Sequence, residues 1–510
     1  MERYFMGIDV GTFETKGVLI DQDCRITAVH TEKHTMENPR EGYFEHDAEA
    51  VWWGDFCKTS KALLGKAGVR AEQVSCVCPS TLGSDCLPVD EDCRPLRKAI
   101  LYGIDSRAQE EISWMTAHYG QDRVKELFGR PIVTGDVAAK ILWIKNHEPE
   151  VYQRTYKFLT GASYLTAKLT GEYVIDQFLG QASFRPLYRT DLTIREEECG
   201  LYCRPDQLAQ PRFVTDLAGT VTAQAAKETG LAEGTNVITG TGDSTAEAVS
   251  AGVLHPGDLM LQFGSTLFLY CCTDRLIQDD RVRGNNFTVP GTFSVAAGTN
   301  AAGTLTRWYR DVMFPDAIRL EQEGGENAFQ RMLDGLEHIP AGSDGLITLP
   351  YLAGERTPIN DPNAKGLIFG LKLSHTRAHL YKSALESVGY AIAQHVDILE
   401  ENGVNLRNIT AVGGGVKNPV WMQIVSDILG KPIQIPEITL GASYGDALMA
   451  ALAAGRFRSF EDLHEAIQIG HTVLPNRSLH QTYQSFQKMY AELYLANRDL
   501  MHRLGQNTNC

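Results

Sequence analysis

The apolar positions of this chain fall into short runs, separated by glycine-rich turns and by longer stretches of helical spacing. At the amino terminus, "YFMGIDVGTFETKGVLIDQDCRI" sets the runs Phe5 to Val10 and Gly17 to Asp21 on either side of a Gly/Thr turn, which predicts a β-hairpin. The pattern recurs in "DLMLQFGSTLFLYCC", where an apolar run reaches Gly264, Ser265 and Thr266 and leaves through another, about half a chain length after Gly11. Two such units suggest a duplicated domain, each copy opening on a hairpin. Two unrelated hairpins in one large α/β protein is the competing account.

The intervening pattern alternates strand and helix. "VSCVCPST" predicts a buried strand, "AAKILWIKNHEPEVYQRTY" a helix, and "TNVITGTG" a strand leading to Asp243. Further on, Leu380, Ala384, Val388, Ile392 and Val396 stand at helical spacing in a segment that stops near Gly403. "NITAVGGGV" then reads as strand plus glycine turn, "NPVWMQIVSDILG" as helix, "KPIQIPE" as strand and "SYGDALMAALAAG" as helix. Alternation on this scale means α/β layers with substantial parallel pairing. At 510 residues the chain exceeds one usual core, so two domains of about 250 residues are expected, 1–250 and 251–510.

Composition narrows the function classes. Apolar residues at 43% and charged residues at 22% describe an ordinary globular protein, and no apolar run reaches membrane-spanning length. A net charge of −15 argues against a broad nucleic-acid or acidic-membrane surface. Any anionic ligand must therefore be held by local devices: backbone amides, a lysine or a metal. Eleven cysteines and an opening "MERYFMGIDV" without a leader read as free thiols in a reducing cytoplasm. The pairs Cys76/Cys78 and Cys199/Cys203 lack the CxxC or HxxxH partner that a zinc site needs.

Against that background a few residues carry candidate chemistry. The first turn offers backbone N–H groups, the Thr12 hydroxyl and nearby Lys16, which are phosphate-binding parts. Asp9 interrupts an apolar strand, where a carboxylate is costly to bury without a cation or donors, so a Mg²⁺ role competes with simple capping of its own turn. Asp243 stands at the start of a small-residue helix, either as its N-cap or as a base facing a ligand across the strand ends. Gly413, Gly414 and Gly415 sit where a strand ends, with Asn418 a good N-cap and Pro419 suited to the first helical position. Such a turn lets a ligand approach the backbone, or is only tight. No GxxxxGK[ST] occurs, and "GTGDST" lacks the third glycine of a dinucleotide site.

These residues resemble the FGGY carbohydrate kinases, a family of the actin and hexokinase structural group. The likeness runs over nearly the whole chain, through "GIDVGTFETKGVLID", "LTGEY", "GTGDSTAEAVSAGV", "FGST", "LPYLAGERTPINDPNAKG" and "GGGVKNPVWMQIVSDILGKPI". Its most specific part is "GLIFGLKLSHTRAHLYKSALE", which agrees with the family's second signature at Gly366, Ile368, Gly370, Leu371, His379, Leu380, Ser383, Ala384, Leu385 and Glu386. The first signature is looser: "DVAAKILWIKNH" keeps Lys140 and Trp143 but carries Val137 and Ile144.

The resemblance implies two RNase H-like (actin-like ATPase) domains with a cleft between them, ATP and Mg²⁺ as cofactors, and a sugar hydroxyl as acceptor. It assigns Asp243 as the general base. Asp9, Gly11, Thr12 and Lys16 correspond to the first phosphate and Mg²⁺ element, with Asp9 and Asp243 at the metal. Gly264, Ser265 and Thr266 correspond to the second phosphate element, and Gly413 to Gly415 with Asn418 to the adenosine turn. Phosphoryl transfer needs mainly positioning and charge neutralisation, so this is a sufficient set.

Substrate identity departs from the pattern. The xylulokinase-like subgroup, nearest in length and layout, carries a Gly-Gln-Met-His-Gly segment where this chain reads "TLGSDCLPVD", so the glutamine and histidine fall on Leu82 and Ser84. The family's "WxDxR" element reads "YGIDSR", with Tyr102, one extra residue, then Asp105 and Arg107. Ser84, Asp85, Tyr102, Asp105 and Arg107, with Asp243, are the candidates for binding the acceptor, a ketopentose or a related polyol or sugar acid. A surface Asp/Arg pair is the plain alternative for the last two. Because polar discrimination depends on paired hydrogen-bonding groups, D-xylulose is not expected to be the best acceptor.

Two other functions remain in view. One is an actin-like or chaperone-like ATP-binding module, which the presence of Asp243 and of the second signature disfavours. The other is a superfamily phosphatase, distinguished by phosphate release without a sugar acceptor. The reading also places the protein in the cytoplasm, with no nucleic-acid or membrane partner, and leaves a homodimer open.

Overall fold

The computed structural model describes residues 2–507. Two mixed sheets carry the architecture. In the first, strands run in the spatial order Leu217–Thr220, Asn236–Ile238, Val74–Thr81, Tyr4–Val10, Glu14–Asp21, Ile26–Lys33, with the short Thr241–Gly242 also paired to Val74–Thr81. In the second, the order is Ile469–Val473, Ile433–Pro436, Ile409–Gly413, Leu259–Phe263, Leu267–Thr273, Phe293–Thr299, extended by Arg283–Asn286.

The two orders match strand for strand, and so do the directions. From the outer edge inward, each sheet has one antiparallel pair, two parallel pairs and then two antiparallel pairs, with the hairpin and one further antiparallel strand forming the last three strands. Equal order and direction favour the duplicated unit over two unrelated hairpins. Each unit is RNase H-like, and the parallel pairs are covered on their faces by helices, as buried parallel strands require.

One long-range element decides how the site is built. The helix Ala442–Ala453, though late in the chain, packs into the core of the first sheet with Ala447, Leu448 and Met449 fully buried there. Small residues make the approach possible. A Cβ at Gly7 of the first strand would stand 2.2 Å from the Ser443 carbonyl oxygen, and a Cβ at Gly445 would stand 1.9 Å from that of Ala246. Neither position tolerates a side chain at that separation. The first strand, the helix Asp243–Ser250 and the helix Ala442–Ala453 are thereby locked together, and all three contribute carboxylates to the region described below: Asp9, Asp243 with Glu247, and Asp446.

The segment expected as one helix over "AAKILWIKNHEPEVYQRTY" is two, Val137–His147 and Pro149–Arg154. Pro149 supplies no N–H and pushes Glu148 out of the helical region, at φ −132° and ψ 58°. Among the described residues no helix is long and apolar enough to cross a membrane.

Candidate active site

Asp9 lies near the end of the first strand, directly beside Ser80 of the neighbouring parallel strand. The Ser80 hydroxyl lies 3.0 Å from Asp9 Oδ1 and 2.5 Å from Asp446 Oδ2, so one side chain from each half of the chain converges on it. Burial and the nearby Asp243 carboxylate push Asp9 well above the usual carboxylate range, with Lys16 opposing. Lys16 itself stands 3.6 Å from Glu14 at the rim.

The turn after Asp9 is held from behind. The Gly11 N–H donates to the Glu14 carbonyl at 2.9 Å. His34 bridges Asp55 and the Gly11 carbonyl, each at 3.0 Å, and His46 Nε2 meets the Thr12 carbonyl at 3.2 Å. Burial pushes His46 down to about 4, which leaves a neutral ring, and its Nδ1 accepts from Trp52 Nε1 at 3.1 Å. The carbonyls of the turn are thus taken up behind it. Neither histidine carries a local sequence signal, because both act on this turn from segments more than twenty residues away.

Asp243 is not the N-cap of its helix. Gly242 occupies that position, and Asp243 is the first helical residue, its Oδ1 accepting only the adjacent Ser244 N–H at 2.6 Å. Burial pushes its carboxyl up to about 6. One helical turn on, Glu247 is pushed up to about 7, by burial first and then by Asp243, and its Oε2 accepts from Gln262 at 2.5 Å. Gln262 belongs to the strand that runs into the second turn. In that turn the Gly264 N–H donates to the Thr266 carbonyl at 3.0 Å, while the Ser265 carbonyl accepts the Thr304 N–H and hydroxyl, each at 2.9 Å.

Gly264 and Ser265 open into a cavity of about 680 Å³, which Gly414, Gly415 and Asn418 line from the other side. A Cβ at Gly415 would stand 2.6 Å from the Phe263 Cβ, and Gly413 sits at φ +91°, so this turn is built on glycine for a stated reason. Asn418 Oδ1 accepts the Trp421 N–H at 2.9 Å and caps the helix Pro419–Leu429, with Pro419 at its first position. Arg307, Arg310 and Lys417 add positive charge to the cavity wall, and sequence patterning alone did not single them out.

The acceptor candidates form a separate group. Lys140, buried, donates to the carbonyls of Ser84 at 2.6 Å, Leu101 at 2.7 Å and Tyr102 at 3.2 Å, tying both loops to one helix, and burial pushes it down to about 8. Ser84 stands at φ +70° with its hydroxyl 3.0 Å from that of Ser183. Asp85 is fully buried, with neither carboxyl oxygen in hydrogen-bond geometry to a partner among the described residues. Burial pushes it well above the usual range, with Lys140 opposing and Asp243 adding to the rise, so it lies within electrostatic reach of both. The Tyr102 hydroxyl lies 3.4 Å from that of Thr12, joining this group to the first turn.

Asp105 and Arg107 are committed to each other. Asp105 accepts Arg107 Nε at 2.9 Å and the Phe44 N–H at 2.7 Å, while Arg107 also reaches Glu45 at 2.8 Å and lies over the Tyr43 ring. Both are buried, which removes the reading of a surface pair.

Both halves match known sequences. The model for the N-terminal domain of the FGGY family of carbohydrate kinases matches residues 4–250, and that for its C-terminal domain matches residues 260–454. The chain belongs to the FGGY family of carbohydrate kinases. It is 26% identical over 502 residues to a xylulose kinase of Bacillus subtilis (strain 168), covering 98% of each chain, and 24% identical to a gluconokinase of the same organism, covering 97% of this chain and 96% of that one. The crystal structure of a xylulose kinase from Rhodospirillum rubrum superposes with a TM-score of 0.89 at 28% identity, over 98% of this chain and 100% of that one. The protein is a sugar kinase, and the actin-like or chaperone-like module and the phosphatase recede.

Proposed function

We propose that the protein transfers the γ-phosphate of ATP to a hydroxyl of a ketopentose or a related polyol or sugar acid, with Asp243 as the general base. Asp243 accepts the proton of the acceptor hydroxyl as its oxygen bonds to the γ-phosphorus, the bond to the β-phosphate oxygen breaks, and ADP leaves. A carboxylate pushed up only to about 6 is ionised at neutral pH and still basic enough for that task. The observation that carries this reading is that Asp243 does not cap its helix, yet is partly buried and close enough to Asp9 to raise that carboxyl's proton affinity. A merely structural aspartate gains nothing there.

The remaining parts follow from the same grouping. Asp9 and Asp243 are two partly buried carboxylates, and Asp243 raises the proton affinity of Asp9, which suits the pair to Mg²⁺, an ion held by one or two carboxylates together with phosphates and water. When bound, the ion neutralises charge on the transferred phosphoryl group. Gly11, Thr12 and Lys16 receive phosphate on one side, and Gly264, Ser265 and Thr266 on the other. The adenosine moiety occupies the cavity beside Gly413, Gly414, Gly415 and Asn418. Ser84, Asp85 and Tyr102 meet the acceptor, with Asp105 and Arg107 fixing the loop that carries Tyr102. In this arrangement residues 1–250 hold the sugar and residues 251–510 the adenosine, in a cytoplasmic enzyme compatible with a homodimer.

An ADP-release screen with ATP and Mg²⁺ across pentuloses, hexuloses, polyols and aldonic acids tests the reading. Acceptor-dependent ADP release with one of these classes is the expected result. ADP release that no acceptor stimulates would overturn it.

A further inference from the structure

Away from the candidate active site, a cleft of about 230 Å³ lies where residues 126–130 and 181–195 of the first half meet residues 276–284 of the second. Five arginines line it: Arg130, Arg185, Arg189, Arg195 and Arg283. In a chain of net charge −15 such a concentration calls for an account of where the counter-charges are.

They are spent elsewhere. Of the carboxylates on the cleft wall, Glu126 is paired with Arg123 at 2.7 Å and Asp279 with Arg281 at 2.7 Å, while Asp191 accepts the Thr193 hydroxyl at 2.6 Å. Arg189 is taken by Glu197, and Arg130 grips Asp136 in two hydrogen bonds of 2.8 Å each. Three guanidinium groups are then left with no carboxylate at ion-pair distance among the described residues, although Asp136 lies within electrostatic reach of Arg185 and Arg283, and Glu197 of Arg195. Arg185, buried, donates only to neutral acceptors: the carbonyls of Gln181, Phe128 and Gly284 and the side-chain oxygen of Asn285. Arg195 has a buried Nε with no hydrogen-bond partner. Arg283, largely exposed, has no ion pair among the described residues. Burial first and then the neighbouring Arg130 push Arg185 down to about 10 and lower the largely exposed Arg283 as well, with Asp136 opposing in both cases.

We propose that this cleft binds a small phosphate monoester, whose dianionic group bridges Arg195 of the first half and Arg283 of the second. Guanidinium groups in this number match the several acceptor oxygens of a phosphate, each of which takes a charge-assisted hydrogen bond. The volume lies below the range of drug-sized sites, so the ligand is a phosphate on a short carbon chain and not a nucleotide. Because the contacts come from both halves, the ligand acts as a clasp across their junction. The proposal does not depend on the kinase assignment, since its readout is binding.

The test is calorimetric titration of the full-length protein with inorganic phosphate and with glycerol 3-phosphate, its nucleotide site filled by a non-hydrolysable ATP analogue and Mg²⁺. Chloride at matched ionic strength serves as the control for screening. Saturable binding of both phosphates is expected. Arg195→Ala and Arg283→Ala should each weaken it at least about tenfold, the loss of one charge-assisted hydrogen bond. Arg283→Lys should retain part of it, and Arg458→Ala, on a distant exposed segment, all of it. Binding that both alanine variants leave intact, or no saturable binding beyond the chloride control, overturns the proposal.

Discussion

Gln262 donates to Glu247 Oε2 at 2.5 Å, and this one contact ties the helix that begins at Asp243 to the strand that delivers Gly264. The candidate base and the second phosphate turn are therefore not independent. Any movement of the second hairpin is felt by the Glu247 carboxyl one turn from Asp243. Phosphoryl transfer depends on placing base, acceptor and phosphate within about 3–3.5 Å of the reacting geometry, so a direct strut between two of them is a mechanical asset.

Glu386, the one acid of the second family signature and fully buried, gives a pH prediction for stability. Burial pushes it up to about 7, although the Gly342 N–H, the Ser343 hydroxyl and the Tyr483 hydroxyl all donate to it. A carboxyl raised on folding stabilises the fold fully below its unfolded value of 4.5, and that contribution is lost as pH rises towards 7. Glu386→Gln keeps the shape and removes the titration, so the melting temperature of the variant should gain on the parent across that window, by up to about 3 kcal/mol of stability. A difference between the two that stays flat from pH 4.5 to 7 would refute the assignment.

Gly414 separates nucleotide binding from folding. A Cβ there meets nothing closer than the Phe263 carbonyl oxygen at 4.0 Å, so the added methyl costs the fold little and projects towards the cavity it lines. Gly414→Ala should therefore melt like the parent, while the KM for ATP rises about tenfold or more, as expected for 1–3 kcal/mol of overpacking. An unchanged KM for ATP would remove adenosine from this cavity.

Much of this was readable in the chain, and the reason is that the readable parts are local. Both hairpins follow from turn chemistry flanked by apolar runs, and Asn418 with Pro419 reports a helix start within three residues. What escaped the sequence is long-range. Nothing near Gly11 or Thr12 indicates that His34 and His46 hold their carbonyls, and nothing near Asp446 indicates that it meets Ser80 across more than three hundred residues. The small-residue pattern of Ala442–Ala453 forecasts a helix but not that it leaves its own half for the first core. Asp105 and Arg107 were visible as a charged pair, whereas their burial and their service to Phe44 and Glu45 depend on a strand that arrives from sixty residues upstream.

The acceptor loop predicts a specificity. Leu82, where xylulokinases carry a polar residue, is buried with its N–H on the Val10 carbonyl, and the Ser84 hydroxyl is already paired with Ser183. A sugar that needs a long polar side chain at each of those positions finds an alkyl group at one and only a short hydroxyl, already sharing one hydrogen bond, at the other, and a sugar hydroxyl buried without a partner costs about 1–3 kcal/mol. D-xylulose should therefore show a lower kcat/KM than at least one other ketose, polyol or aldonate. A kcat/KM for D-xylulose above that of every other acceptor assayed would show that the loop is read wrongly.

Asp243→Asn decides the catalytic assignment. Asparagine retains an oxygen for the Ser244 N–H, and since Gly242 rather than Asp243 is the N-cap, the substitution should leave the melting temperature near that of the parent. It cannot take the proton of the acceptor. Turnover should fall by ~10²–10⁴, the usual loss for general-base catalysis, while ATP affinity changes little because the amide-rich turns hold the nucleotide. The parent's turnover should also decline as pH drops through about 6, where Asp243 gains a proton, and the residual rate of the variant should lack that decline. The measurement is acceptor-dependent ADP release against pH, alongside ATP binding, on a variant whose melting temperature matches the parent. A rate within a few-fold of the parent, or the same acid limb in both proteins, would mean that the proton goes to another group and that the Asp243 carboxylate serves only the metal.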